Sequence, residues 1–208
     1  MDLPSLVDAA IPGPGGRLDR FSSASQHVIA TLAGSPSGRP VASLLHGNQW
    51  LGHPLHPVVV VLPIGAWCVA GWYDLRSTLS GDAAYDHAAD GAVKVGLSGA
   101  LIAAASGLAQ YLDTRNGVRR ETTVHATLNT IGLAAYLGSW SARTWGRRSL
   151  GKKLAAVGLG VVMVSGYLGG DISYRHGVGV RPQALRAPDR SASETGSQSL
   201  ETADARHT

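Results

Sequence analysis

The chain has 208 residues, of which 44% are apolar and only 15% charged, against about 25% charged in an average soluble domain. Its single cysteine, Cys68, excludes a disulfide framework and any iron–sulfur or zinc site built from cysteines. The net charge of +4 is spread over small clusters between apolar runs, so no basic face for a nucleic acid is expected.

Residues 1–52 form a polar N-terminal segment. Its first ten residues are acidic and lack the basic and apolar regions of a signal peptide. Two short amphipathic stretches, around 25–32 and 41–46, are expected to lie at the membrane interface. Residues 53–180 then carry four apolar runs. The first is PLHPVVVVLPIGAWCVAGWY, with no charged residue. The second is GAVKVGLSGALIAAASGLAQY, with Lys94 alone near its start. VHATLNTIGLAAYLGSWSA and LAAVGLGVVMVSGYLGG follow, both uncharged. Runs of this size suit a hydrocarbon core about 30 Å thick, and none shows the polar stripe of a soluble amphipathic helix.

The expected fold is therefore all-α: a four-transmembrane-helix bundle with helices at about 54–75, 89–111, 123–143 and 153–173. Gly166 with Gly170, and Gly99 with Ala103 and Gly107, are spaced for close helix approach. Pro63 is expected to kink the first span. Most of the tryptophans fall near run ends, as in an aromatic belt, whereas Cys68 is expected to be packed and inert. Residues 181–208 are polar and almost free of large apolar side chains, the composition of a disordered tail. Arginines and lysines are split too evenly between the two sides to orient the chain.

Folding four spans up and down brings the start of the first and third and the exit of the second and fourth to one membrane face. His46, His53 and His56 arrive there from the first span, Asp113 from the loop after the second, His125 and Asn129 from the third, and Asp171 and His176 from the fourth. The opposite face has only one histidine, His87, in an acidic loop. Ionisable groups at the edge of spans are costly and usually face the bundle interior. Neutral imidazoles beside carboxylates are the donor set that a transition metal takes, and two histidines on facing helices can hold a haem iron. His53, His56 and His125 are thus candidate ligands to a metal, or with His176 to haem b. Asp113, Asn129 and Asp171 would support them from behind.

The block LLHGNQWLGHPLHPVVVVLPIGAW resembles a bacterial membrane-protein family known as domain of unknown function 2231. The residues that carry the resemblance are Gly47, Trp50, Leu51, Gly52, His53, Pro54, Leu55, His56 and Pro57, then Pro63, Ile64 and Gly65. The stretch before Trp50 is one residue longer than the commoner spacing. His125 with Asn129, and YLGGDISYRHGVGV, match further, so the resemblance spans roughly residues 20–180. Asp171 stands where some members have histidine. The resemblance implies a four-helix integral membrane domain. Some relatives continue into a Rieske-type iron–sulfur domain, which implies redox work. This chain has no intrinsic iron–sulfur site, so such a partner would be a separate protein.

No catalytic motif is present, neither a nucleophile elbow, nor HExxH, nor a phosphate loop. The sequence is thus read as a multi-pass protein of the cell membrane that binds haem or a transition metal in an electron-transfer role, rather than as an enzyme on its own. The alternative is a non-enzymatic scaffold or accessory subunit of a redox complex. A proton-conducting bundle is disfavoured, because the middles of the runs carry almost no ionisable group.

Overall fold

The computed structural model describes Ala9 and residues 11–180; the tail expected at 181–208 lies outside the described residues. All regular structure among the described residues is helical. Two helices precede the bundle, α1 (Arg17–Gly34) and α2 (Gly38–His46). A single turn, α3 (His56–Val59), leads directly into α4 (Val61–Ser80). Three long helices follow: α5 (Ala83–Tyr111), α6 (Asn116–Thr144) and α7 (Arg148–Tyr174).

The break between α3 and α4 falls at Val60, one turn before Pro63. Pro63 has no N–H to offer the Val59 carbonyl, so the interruption has the cause expected of it. At the other end of α4, Gly81 takes a left-handed conformation (φ 71°), and the Asp82 carboxylate accepts the Ala84 N–H at 2.8 Å. The two residues close a tight turn into α5.

The helices α4 to α7 form a four-membered ring. Helices α4 and α5 make one hairpin, α6 and α7 the other, and α4 and α6 face each other across the diagonal. Around the central Trp67 and Tyr136, much of the interior is made of small residues: Ala70, Ala89, Gly96, Ala100 and Ala103 on one hairpin, Ser139, Ala155, Gly158 and Ser165 on the other. Many large apolar side chains point outward. Leu75, Leu101, Ile102, Ile131, Val157 and Met163 are all exposed. That is the packing of a bundle whose outer solvent is lipid. Cys68 is likewise exposed, a correction to its expected burial. Gly166 and Gly170 face open space, so the close approach runs instead through Gly158 and Gly169 of α7. Gly99 and Gly107 do make one on α5.

Three helical stretches, His56–Ser80, Ala83–Tyr111 and Arg148–Tyr174, are long and apolar enough to cross a membrane. Helix α6 has the length but not the hydropathy, because its first half contains Arg119, Arg120, Glu121 and a series of threonines.

The two hairpins repeat one pattern. His56 of α3 and Pro63, Trp67, Ala70 and Asp74 of α4 recur at the same spacing as His125, Gly132, Tyr136, Ser139 and Arg143 of α6. The buried positions Ala89, Val93, Gly96, Ala100 and Ala103 of α5 recur as Gly151, Ala155, Gly158, Val162 and Ser165 of α7. Two pairs of equivalent residues meet across the diagonal between α4 and α6. Trp67 stacks on Tyr136 with ring centroids 3.9 Å apart and planes 4° from parallel. Asp74 pairs with Arg143. The bundle is therefore a duplicated hairpin with an approximate two-fold axis along its length. Trp67, placed by sequence in an interfacial belt, sits in its centre; Trp50, Trp72, Trp140 and Trp145 are exposed.

Helix α1 docks on the loop between α5 and α6. Gln26 Nε2 donates to the carbonyls of Tyr111 and Thr114 at 3.0 and 2.9 Å, and the Tyr111 hydroxyl donates to the Ser22 carbonyl at 2.9 Å. Asp19 lies beside Arg119 and Arg120. The Gly15 N–H, with these two guanidiniums, holds its carboxyl below the ordinary carboxylate value. Tyr111→Phe removes a buried hydrogen bond worth about 1 kcal/mol and leaves the Ser22 carbonyl without that donor. The expected result is faster proteolysis between α1 and α2 with an intact bundle, read by limited digestion in detergent.

Candidate functional site

The histidines gather at the end where α4 and α6 begin, but they divide into separate arrangements. His46 closes α2 and its Nε2–H donates to Asp113 Oδ2 at 2.8 Å. This pair lines a cavity of about 350 Å³ with Ala42, Ser43, Asn48, Gln49, Ala109 and Leu112. Asp113, expected to support the other histidines, is thus engaged with His46. His53 precedes the helix, is exposed, and has its Nδ1 3.2 Å from the carbonyl of the next residue, Pro54.

His56 and His125 are placed alike. His56 Nδ1 lies 2.8 Å from the Ala103 carbonyl of α5. His125 Nδ1 lies 2.8 Å from the Ser165 carbonyl of α7. A carbonyl only accepts, so in each ring Nδ1 carries the proton and Nε2 keeps its lone pair. Ser165 Oγ donates to the His125 carbonyl and stands 3.0 Å from Nδ1, which tightens that orientation. Asn129 Nδ2 donates to His125 Nε2 at 3.0 Å. One turn beyond each carbonyl is a glycine that makes room for the ring. A Cβ at Gly107 would stand 3.0 Å from His56 Nδ1, and one at Gly169 2.9 Å from His125 Cε1.

His176 makes a third arrangement. It follows α7 directly, and its Nε2 lies 3.0 Å from Glu121 Oε2 on α6. Asp171, one helical turn earlier, pairs with Arg175 at 2.9 Å. Glu121 is the residue that sequence reasoning missed. It sits in a run of charged residues at the start of α6, and nothing in that run marks it as buried, yet it is 3% exposed.

The opposite end of the bundle carries a charge network instead of histidines. Arg143, 6% exposed, donates to Asp74 through both Nη atoms, to Asp90 at 3.1 Å and to Ser139 Oγ at 3.0 Å. Arg148 joins Asp90 at 2.7 Å, and Lys152 joins Asp86 at 3.1 Å. The expectation of polar residues concentrated at one end is corrected here. Both ends are polar, one with imidazoles and the other with buried ion pairs.

Residues 52–182 match a family of predicted membrane proteins, domain of unknown function 2231. The chain belongs to this family. In this member of the domain 2231 family the signature block GHPLHP spans the loop before the bundle and the first turn of α4's lead-in, so its two histidines differ in kind. His53 is in the exposed loop, and His56 is inside, against α5. Leu55 N donates to the His46 carbonyl at 3.0 Å, which ties the block to the end of α2. Left-handed Gly47 (φ 88°) permits that approach, since a Cβ there would meet Leu55 N at 2.7 Å. No curated protein and no solved structure matches the chain.

Proposed function

We propose that this domain 2231 protein is a cofactor-carrying module of the cell membrane, with His56 and His125 as the ligands to haem or to a bare transition-metal ion. The observation that carries the reading is the equivalence of the two rings. Each comes from the first helix of its own hairpin. Each has Nδ1–H tied to a backbone carbonyl of the second helix, which leaves Nε2 as the donor atom. A backbone carbonyl behind the other nitrogen is the usual support of a ligating histidine. A two-fold axis between such rings favours a group held from both sides. The group would supply one-electron chemistry. The chain's part is to fix both imidazoles in one tautomer and to keep a low-dielectric wall of small residues around them. Asn129 Nδ2 donates to His125 Nε2 and must give up that bond when His125 ligates, while His53 and Asp113 take no part.

Helix α6 is read as a fourth span. It runs antiparallel along α7 for its length, and its threonines spend their hydroxyls on its own backbone. Thr122, Thr123, Thr127 and Thr130 all donate to the carbonyl four residues earlier, at 2.8 to 2.9 Å. Hydroxyls satisfied in this way cost little in lipid. An electron partner would then be a separate redox protein meeting the histidine end.

The test is the visible spectrum and metal content of detergent-purified protein expressed with haem supply. A Soret band, or one equivalent of iron or copper, is expected. His56→Ala and His125→Ala should each remove it, and His53→Ala should leave it. If wild-type protein shows neither band nor iron nor copper, the module is a scaffold and the cofactor reading fails.

A further inference from the structure

We infer a second metal site, independent of His56 and His125, formed by Glu121, Asp171 and His176, and selective for a divalent transition ion such as Zn²⁺. The ligand atoms of these three residues all lie within 4.8 Å of one another. Bonds of about 2.1 Å to a tetrahedral ion would set them about 3.4 Å apart, a closure that side-chain rotation alone provides. Two carboxylate oxygens and one imidazole nitrogen form a borderline donor set, which suits zinc and its neighbours better than calcium or magnesium.

The three residues are held by rigid elements. Glu121 lies in the second turn of α6 and Asp171 in the last turn of α7. His176 is positioned by the capping turn of α7. Its N–H donates to the Asp171 carbonyl at 3.3 Å, Val178 N donates to the Ile172 carbonyl at 3.2 Å, and Gly177 supplies the left-handed residue (φ 72°). These two wide backbone bonds close the chain after the helix end and fix the residue before the glycine. The Glu121 and Asp171 side chains are only 4% and 9% exposed, whereas that of His176 is 28% exposed and gives the site an approach from solvent.

Burying two carboxylates side by side is costly, and an ion neutralises both at once. In its absence Arg175 pairs with Asp171, and His176 Nε2 lies 3.0 Å from Glu121 Oε2. Arg175 lies at the helix end with a side chain 34% exposed, so it can swing aside when an ion takes Asp171. Three protein ligands leave a fourth position for water, as in open zinc sites.

Chelator-stripped, full-length protein in detergent should be titrated with Co²⁺ while its d–d absorption is followed, then challenged with Zn²⁺. One Co²⁺ per chain is expected, displaced by Zn²⁺. His176→Ala and Asp171→Asn should each weaken binding on the order of tenfold or more. His176 is at the surface, so its removal leaves the bundle folded, as a circular dichroism melt will verify. The double variant H56A/H125A should keep the signal, which separates this site from the cofactor reading above. The inference is overturned if wild-type protein takes up no Co²⁺, if H176A binds it as wild type does, or if H56A/H125A abolishes the bands.

Discussion

Replacing Arg143 by methionine should lower the thermal midpoint of the detergent-solubilised protein more than any other charge removal. Arg143 neutralises Asp74 on the diagonal helix from inside the bundle, with a side chain 2% exposed. Its loss leaves the Asp74 carboxylate facing an apolar side chain, far from water. Breaking a buried pair on one side typically costs about 3–5 kcal/mol. Asp74→Asn should cost less, because Arg143 keeps Asp90 at 3.1 Å and Ser139 at 3.0 Å. Removing both charges, as in D74L/R143M, should recover most of the loss, since an apolar pair needs no desolvation of ions. The checking measurement is a set of melting curves for the two single variants and the double. If R143M and D74L/R143M melt together, the ion pair is not what joins α4 to α6. The pair's role on this view is to fix which faces of the two hairpins meet, because a slip of one turn would bury either charge alone.

The helical class, the membrane setting and the histidines at the start of α4 and α6 were legible in the sequence. Long uncharged runs report their solvent directly, and His-Pro pairs at the head of a run stand out from an apolar background. The duplicated hairpin was not legible, for a physical reason. Where equivalent residues meet on the axis they must complement each other, and complements differ in identity. An acid needs a base, hence Asp74 and Arg143; the aromatic stack has filled its two places with Trp67 and Tyr136. Sequence identity survives at positions that face their own hairpin, such as His56 and His125, Gly96 and Gly158, Gly107 and Gly169. Read along the chain, Trp67 looked like a membrane-interface aromatic. Glu121 was hidden by its neighbours, since burial of a single carboxylate in RRET depends on α7 and leaves no local trace. His53 and His56 looked interchangeable because their separation puts them on one helical face, but the helix begins only at His56.

The second large effect is expected at the aromatic stack. Trp67 is 3% exposed and lies flat on Tyr136, itself 1% exposed, in the middle of the bundle. The indole also presses on α5, where Gly96 is the only residue type that fits: any Cβ there would overlap the ring at Nε1 and Cδ1. Gly96→Ala gains helix propensity of about 1 kcal/mol, but it must displace an indole that is pinned from behind by Tyr136. Overpacking of this kind costs about 1–3 kcal/mol, and a rigid ring in a stack belongs at the upper end. At the equivalent position, a Cβ on Gly158 would stand 3.0 Å from Tyr136 Cδ2 and Cε2 and 3.2 Å from Ala135 Cβ, a milder overlap than at Gly96. Gly96→Ala should therefore destabilise the protein clearly, and more than Gly158→Ala does. Trp67→Phe provides the internal control. It shrinks the ring away from Gly96 and removes an indole N–H that is buried without a hydrogen-bond partner. The combination W67F/G96A should thus melt above G96A alone, because the smaller ring accepts the added methyl. Melting curves of the three variants decide the matter: if W67F/G96A is no more stable than G96A, the contact between the indole and α5 is not what excludes a side chain at position 96.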